Sequence, residues 1–369
     1  MNTEEIYYLL ALQKVKNVGD ISAKKLLKHF GSARAVFEAA QKGHGRVDIM
    51  DVGTVMWQSI KNFSQWDRVE EELKYIEKES IKVITIFDPE YPYRLFHAPD
   101  GPILFFLKGE VDLNTKHVIS IVGTRNMTNY GKRMVEEIVE GLKDYSPLIV
   151  SGLAYGVDVE AHRQALARGL LTVGVLGHGF QRIYPSVHHK VAMQMIDNGG
   201  LLTEFWHTDV VDRNNFLKRN RIVAGLSEAT VIIESGEKGG SLVTADIANS
   251  YNRDVFAVPG RTTDMFSKGC NNLIKRNQAS ILTGAHDIIQ MLRWESEVKK
   301  SKNLQLNLFV DLSEDEQKIF DLLQEQGKMS LDEIAVTLQF TVSKTAQLLL
   351  KLELNNVVSG LSGKSFELL

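Results

Sequence analysis

The spacing of hydrophobic residues changes along the chain at about residue 80. Within residues 1–66 apolar side chains recur every three to four positions, as at Leu26, Leu27 and Phe30, which predicts helices. From Ile81 onward, short runs rich in β-branched residues alternate with helical patterns. This alternation predicts an α/β fold with a mostly parallel sheet. The predicted strands are 82–87, 118–122, 148–150, 172–176, 230–234 and 255–258.

The same patterns divide the chain into three predicted domains and a linker. The boundaries are 1–66 for a small all-α domain, 67–295 for the sheet domain, 296–312 for a polar linker and 313–369 for a last domain. In the last domain, Ser313 with Glu316 and Ser330 with Glu333 indicate two helix starts, and Thr341 begins a third helix. Two short strand-like pieces follow, so this domain is predicted to be a winged helix.

Composition and charge narrow the class of protein. The chain has 369 residues, with 44% hydrophobic and 24% charged residues, which is typical of globular domains. A single cysteine, Cys270, excludes an internal disulfide and a multi-cysteine zinc site. No window reaches the ~18 apolar residues of a membrane span, so we expect a soluble cytoplasmic protein. The net charge is only −3, so a bound polyanion would need a local basic cluster.

A turn between the first helices is a candidate for phosphate contact. The segment 17–23 precedes Lys24, Lys25 and Lys28 and is similar to a helix-hairpin-helix (SAM-like) turn, which presents backbone N–H groups to a nucleic acid. Asn17 stands where the first glycine of such a turn is usual. The alternative is a helical domain with basic, solvated faces.

Three glycine-containing turns follow predicted strands of the middle domain. They are Gly123-Thr124-Arg125, the segment 151–156 and the segment 235–241, and a helical pattern follows each. In a parallel sheet the carboxyl ends of the strands share one edge, where helix N-termini converge. Glycine there lets an anion approach the backbone, so we predict a phosphate site.

The details argue against a dinucleotide, and Gly363-Lys364-Ser365 is not an ATP-binding P-loop because valine stands at 358, where that motif has its first glycine. The first turn lacks the second and third glycines of G-x-G-x-x-G, Arg125 occupies the space of a pyrophosphate, and no acidic residue ends the second strand. The histidines show no metal-ligand spacing with carboxylates. We therefore predict no cofactor, no metal and no catalytic residue.

A basic cluster over 213–221 is the clearest candidate for binding nucleic acid. It holds four positive charges and Phe216 without an acidic residue, and such an aromatic can stack an unpaired base. The residues that we predict to contact DNA are Arg125, Ser151, Gly152, Gly156, Arg213, Phe216, Lys218, Arg219, Asn220, Arg221, Gly239, Gly240, Ser241, Arg261 and Lys268. Two or three of the cluster's side chains are expected to pair internally, with carboxylates such as Glu204 and Asp158.

Several ordered motifs resemble the DNA-processing protein family DprA, also called Smf. They extend over about residues 80–292, and the flanking domains fit the layout of longer family members. The motifs are Ser151-Gly152-Leu153-Ala154-Tyr155-Gly156-Val157-Asp158, Ala161-His162, Tyr184-Pro185, Arg219-Asn220-Arg221-Ile222, Ala224-Gly225-Leu226-Ser227, Gly240-Ser241-Leu242-Val243-Thr244-Ala245, Pro259-Gly260, Ser267-Lys268-Gly269 and Asn271-Asn272-Leu273-Ile274.

The resemblance implies a Rossmann-like core and a cytoplasmic homodimer formed through it. It further implies a protein that binds incoming single-stranded DNA in natural transformation and helps to load the RecA recombinase, with no established enzymatic activity. The family's DNA contacts would fall on Arg125, Arg213, Phe216 and the turns at Ser151-Gly152 and Gly239-Gly240. Two departures are Gly239, where the family usually has a serine, and 277–279 in place of a Gly-Ala.

Two other functions stay open from the residues alone. A nucleotide or phosphoribosyl hydrolase of a related fold would use Glu204 or Asp158 as acid or base. A scaffold protein would dock partners through its third domain. Residues 313–369 hold five Lys/Arg against nine Asp/Glu, and the third helix offers only Lys344 and Lys351. This favours a protein-contact or dimer-support role over duplex DNA binding for that domain.

Overall fold

The computed structural model describes residues 3–42, 52–295, 312–355, 357–361 and 365–368. The chain divides into two compact units, Met1–Trp294 and Glu295–Leu369. Each unit has hydrophobic clusters of its own. The predicted linker 296–312 lies outside the described residues except for Leu312.

Nine strands of the first unit form one sheet. Its spatial order is β1, β2, β6, β5, β4, β3, β7, β8, β9. The pairs β1–β2 and β2–β6 are antiparallel, and the other neighbouring pairs are parallel. The predicted α/β fold with a mostly parallel sheet is therefore confirmed. The strands are β1 Lys82–Thr85, β2 Leu104–Lys108, β3 Val118–Val122, β4 Leu148–Ser151, β5 Thr172–Val175, β6 Gly199–Thr203, β7 Ala229–Ile232, β8 Asp254–Ala257 and β9 Ser280–Ile281.

The helices of the first unit cover the sheet. Every residue of β3, β4, β5 and β7 is buried, which is why these strands are mostly apolar and do not alternate with charged residues. The helices are α1 Thr3–Lys14, α2 Asp20–Phe30, α3 Ala33–Gln41, α4 Thr54–Lys61, α5 Trp66–Lys78, α6 Tyr93–Phe96, α7 Asn129–Leu142, α8 Val157–Ala167, α9 His189–Asp197, α10 Arg213–Leu226, α11 Gly240–Ser250, α12 Lys268–Lys275 and α13 Ala285–Leu292.

Strand order reverses next to β3. From β3 the chain adds β4, β5 and β6 on one side, and α10 then carries it back to β7 on the other side. Such a reversal opens a crevice beyond the carboxyl ends of the strands, where open α/β sheets bind their ligands.

Helices α1 to α5 share a hydrophobic cluster with one end of the sheet. Leu9 and Leu10 of α1 belong to the same cluster as Leu104 and Phe106 of β2 and the buried Trp206. The described part of 1–66 is helical, as the spacing predicts. An independent domain with those bounds, and its helix-hairpin-helix class, stay predictions.

The second unit has the helices and the hairpin of a winged helix. The predicted caps are present: Ser313 N–H bonds Glu316 at 2.7 Å, and Ser330 N–H bonds Glu333 at 2.7 Å. The sheet order is β10, β12, β11. The elements are α14 Glu314–Gln326, β10 Met329–Ser330, α15 Leu331–Thr337, α16 Val342–Leu354, β11 Val358–Leu361 and β12 Ser365–Leu368.

Three strands, β2, β6 and β9, were not predicted from the sequence. The run of β2 is apolar without alternation, β6 begins with Gly199 and Gly200, and β9 has two residues. None of them shows the β-branched signature used for the other strands, because neighbours in the sheet, and not local propensity, hold them in place.

Candidate nucleic-acid interface

The three glycine turns meet at one edge of the sheet, as predicted. Strands β4, β3 and β7 are consecutive neighbours, so their carboxyl ends lie side by side. Thr124 of the first turn bonds to residues that flank the other two: its N–H donates to Glu234 O at 2.7 Å, and its carbonyl accepts from Val157 N at 3.2 Å. We call the segments 123–125, 151–156 and 235–241 together the rim.

Helix α10 brings an aromatic ring to the rim. Phe216 packs against Gly177 at the end of β5, where a Cβ would lie 2.8 Å from Phe216 Cδ1. The guanidinium carbon of Arg125 is 5.9 Å from the centre of the Phe216 ring, within cation–π range. Arg125 is exposed and Phe216 is half-buried. The fold thus joins two predicted contact residues that lie far apart in sequence.

Further predicted cations are exposed on α10 and next to the third turn, and Lys218 also lines a cavity with Glu204 and Asp20. Arg213 and Lys218 are exposed on α10, and Arg261 and Lys268 are exposed on the loop after β8 and at the start of α12. That loop is tied to the third turn, because Ser235 N donates to Phe266 O at 2.7 Å.

Helix α11 begins at the rim with open space beside its first residue. A Cβ added to Gly240 would meet no atom within 4 Å. An anion has room to approach the backbone N–H groups of this helix N-terminus.

Arg219 is buried beneath the rim. Its side chain fills the space next to Gly152, where a Cβ would lie 1.3 Å from Arg219 Nη1. Nη1 is 3.9 Å from Asp158 Oδ2. Burial lowers the pKa of Arg219 and raises the pKa of Asp158, and the pairing opposes both shifts. Only a residue without a side chain fits above this guanidinium, which explains Gly152.

Arg221 connects α10 to two other elements. Its Nη2 donates to Glu204 Oε2 at 2.5 Å and to Asp20 Oδ2, at the start of α2, at 3.0 Å. Burial alone would lower the pKa of Arg221, but Glu204 and Asp20 outweigh it and raise the pKa. The expected pairing with Glu204 and Asp158 is therefore present. Arg219 and Arg221 hold the frame of the site and do not face solvent.

Other predicted contacts also use their polar atoms internally. Ser151 Oγ donates to Ile121 O at 2.6 Å, and Ser241 Oγ donates to Ser235 Oγ at 2.9 Å. Gly156 has a φ of +75°, and a Cβ there would lie 2.2 Å from Thr124 O. A Cβ at Gly239 would lie 2.1 Å from Ser235 Oγ. Asn220 is half-buried. Apart from Asn220, which lies within α10, these positions shape the turns.

The carboxylates proposed for a hydrolase are enclosed. Glu204 is 8% exposed and Asp158 is 7% exposed, and each is paired with a buried arginine. Glu204 Oε1 has no hydrogen-bond partner within the described part of the chain, but this atom is buried. Among the described residues, no group of three His, Cys, Asp or Glu side chains has the arrangement of a metal site.

Two exposed rings at the same edge were not predicted as contacts. Tyr155, within the second turn, is 48% exposed, and Tyr184, on the loop after β5, is 45% exposed. The Tyr184 ring centre is 5.9 Å from that of Phe216. Both lie in the family-like motifs, but an isolated tyrosine beside a glycine or a proline carries no spacing signal of its own.

Two side chains at the start of α2 make contacts within the molecule, whereas Asn17 and Gly19 of the turn before it are exposed. Asp20, which begins α2, accepts from Ile103 N at 3.0 Å as well as from Arg221. Lys24 Nζ donates to Ala98 O at 2.9 Å. The start of α2 is thus used by contacts within the molecule.

The two lysines of helix α16 form ion pairs within the second unit. Lys344 Nζ is 2.6 Å from Asp315, and Lys351 Nζ is 2.7 Å from Glu316. Both acids lie on α14, so the charge that α16 could offer to a phosphate is partly neutralised within the unit. Among the described helices, none is long and apolar enough to cross a membrane.

Comparison with known proteins gives a consistent set of similarities. The sequence model described as DNA recombination-mediator protein A matches residues 82–293, and the one described as DprA winged helix domain matches residues 310–364. The Protein Smf of Synechocystis is 33% identical over 79% of this chain and 73% of its own length. The DNA processing protein DprA of Bacillus subtilis is 38% identical over 58% of this chain and 72% of its own length.

Two solved structures resemble the fold. That of DprA from Streptococcus pneumoniae has 28% identity and a TM-score of 0.66, covering 79% of this chain and 98% of that one. The other is that of DNA processing protein A from Helicobacter pylori, and its description concerns the single-stranded DNA binding mode of that protein. It has 29% identity and a TM-score of 0.53, covering 58% of this chain and 95% of that one.

Proposed function

The chain belongs to the DNA recombination-mediator protein A family, and on that premise we propose that it binds single-stranded DNA along the rim. One observation carries this proposal: the fold places the exposed Arg125 next to the ring of Phe216, at the edge where three glycine turns and the start of α11 meet. Such a site combines a charged group for phosphate with an aromatic face for an unpaired base.

The exposed cations extend this contact in both directions. Arg213 and Lys218 on α10, with Arg261 and Lys268 across the third turn, would follow the sugar-phosphate chain. Backbone N–H groups near Gly240 would receive another phosphate. The buried Arg219 and Arg221 are left out of the contact set, since they hold the turns and α10 in place.

The finer roles come from the family resemblance. We propose that the protein receives incoming DNA in natural transformation in the cytoplasm, helps to load RecA, acts as a homodimer through its Rossmann-like core and needs no catalysis for this role. The acidic second unit is proposed to contact proteins. Pull-down of RecA by the full chain, but not by residues 1–312, would support that assignment.

The binding proposal is tested by charge reversal at the rim. We expect the double variant Arg125→Glu with Arg213→Glu to lose affinity for fluorescent oligo(dT) by at least about a hundredfold, because each charge-assisted contact contributes about 1.5–3 kcal/mol. Anisotropy at two salt concentrations measures the effect, and wild-type affinity should fall steeply with salt.

A matched control keeps the change in charge and moves it away from the rim. Lys74 and Lys78 are exposed on α5, so Lys74→Glu with Lys78→Glu alters the total charge equally. This control should bind oligo(dT) within about threefold of wild type, the residual coming from the altered long-range field. Wild-type binding by the rim variant would refute the proposed site.

A further inference from the structure

We infer that Tyr184 is a second base-contacting ring, and that with Phe216 it makes the site prefer strands whose bases are unstacked. The inference rests on the proposed binding of single-stranded DNA and adds a specificity-determining residue to it. Tyr184 is 45% exposed, and its ring centre lies 5.9 Å from that of Phe216 with the ring planes 49° apart.

The position of Tyr184 is held by its surroundings. His178 is buried, and its Nε2 accepts from Tyr184 N at 3.2 Å, while its Nδ1 lies 2.9 Å from Gly179 O. Burial lowers the pKa of His178, which keeps the ring in the neutral form that can accept this bond. The ring of Phe216 packs directly against the backbone of Gly177. The backbone of Tyr184 and the ring of Phe216 are therefore held in place before any ligand arrives.

The geometry of the two rings selects a particular form of DNA. Neighbouring bases in a stacked strand are about 3.4 Å apart and nearly parallel. Rings 5.9 Å apart and 49° out of plane cannot both lie against such a stack. They can each receive one base of a strand whose neighbouring bases have separated. Thymine runs stack weakly and adenine runs stack strongly, so the pair should favour oligo(dT) over oligo(dA).

The test compares variants of Tyr184 on three probes: oligo(dT), oligo(dA) and an abasic oligonucleotide of equal length. We expect Tyr184→Leu, which keeps apolar bulk without an aromatic face, to bind oligo(dT) about tenfold more weakly, as the loss of one stacked base predicts. Affinity for the abasic probe should stay within about twofold, and the preference for oligo(dT) over oligo(dA) should shrink. Tyr184→Phe should bind all three probes like wild type.

Tyr93 supplies the matched control. It is 50% exposed, but it lies on α6 at the other edge of the sheet, where Arg94 donates to the carbonyl of Lys116, just before β3. Tyr93→Leu should leave all three affinities unchanged.

Each remaining outcome decides against the inference. An unchanged affinity of Tyr184→Leu for oligo(dT), or an equal loss on the abasic probe, would show that the ring supports the loop and contacts no base. Failure of the wild-type chain to bind any probe would instead overturn the proposed function, and the inference with it.

Discussion

Helix α10 carries two kinds of cation, and they differ in almost every physical respect. Arg213 and Lys218 are exposed and belong to the proposed DNA contact. Arg219 and Arg221 are 4% and 8% exposed and lie against carboxylates from other elements. The comparison teaches that a basic cluster in sequence can combine a ligand surface with the ion pairs that hold that surface in position.

The largest expected effect separates the inner from the outer arginines. Arg221→Met leaves the buried Glu204 and the partly buried Asp20 without this cation, so we expect a loss of about 3–5 kcal/mol in the free energy of unfolding. Arg213→Met removes an exposed charge and should change it by no more than about 0.5 kcal/mol. Urea unfolding measures both. Similar losses in the two variants would break the comparison.

A pair of glycine substitutions sharpens the comparison at the rim. A Cβ at Gly152 meets Arg219, whereas at Gly240 it meets open space. Gly152→Ala should therefore cost about 1–3 kcal/mol of stability, because the enclosed guanidinium must move. Gly240→Ala should keep stability within about 0.5 kcal/mol and still weaken oligo(dT) binding. Equal thermal shifts in both variants would contradict this account.

The smallest expected effect is a change of stability with pH, and it comes from His162, a buried residue near Arg219. Burial, with the nearby charge of Arg219, lowers the pKa of His162 from 6.5 to about 3. The unfolded chain takes up this proton at about pH 6.5 and the native chain only near pH 3. The stabilisation is thus complete above pH 6.5, and it falls by about 1.4 kcal/mol per pH unit as the pH is lowered towards 3.

His162→Gln removes that proton uptake, so its stability should vary less with pH. We expect the stability difference between wild type and variant to shrink by about 1.6 kcal/mol between pH 6.5 and pH 5. Urea unfolding at each pH checks this. Parallel pH curves for the two proteins would refute the assignment.

Much of the architecture is determined by residues close together in sequence, so it could be predicted from the sequence. The cap pairs Ser313 with Glu316 and Ser330 with Glu333 act within one helical turn, and the glycine turns directly follow apolar strands. A strand buried on both faces is mostly apolar, with its few hydroxyls bonded internally, as Ser120 is to Thr230, so its sequence indicates its place. These features predicted the parallel core and the edge at which the turns meet.

Only the tertiary structure decided which of these side chains are buried and paired and which are exposed to solvent. Nothing near Arg219 or Arg221 in sequence distinguishes them from Arg213, because their carboxylate partners come from α2, α8 and the loop after β6. The same holds for Tyr184, which meets Phe216 only when β5 and α10 are packed together. Burial and pairing between distant segments are properties of the assembled fold, so no local pattern can encode them.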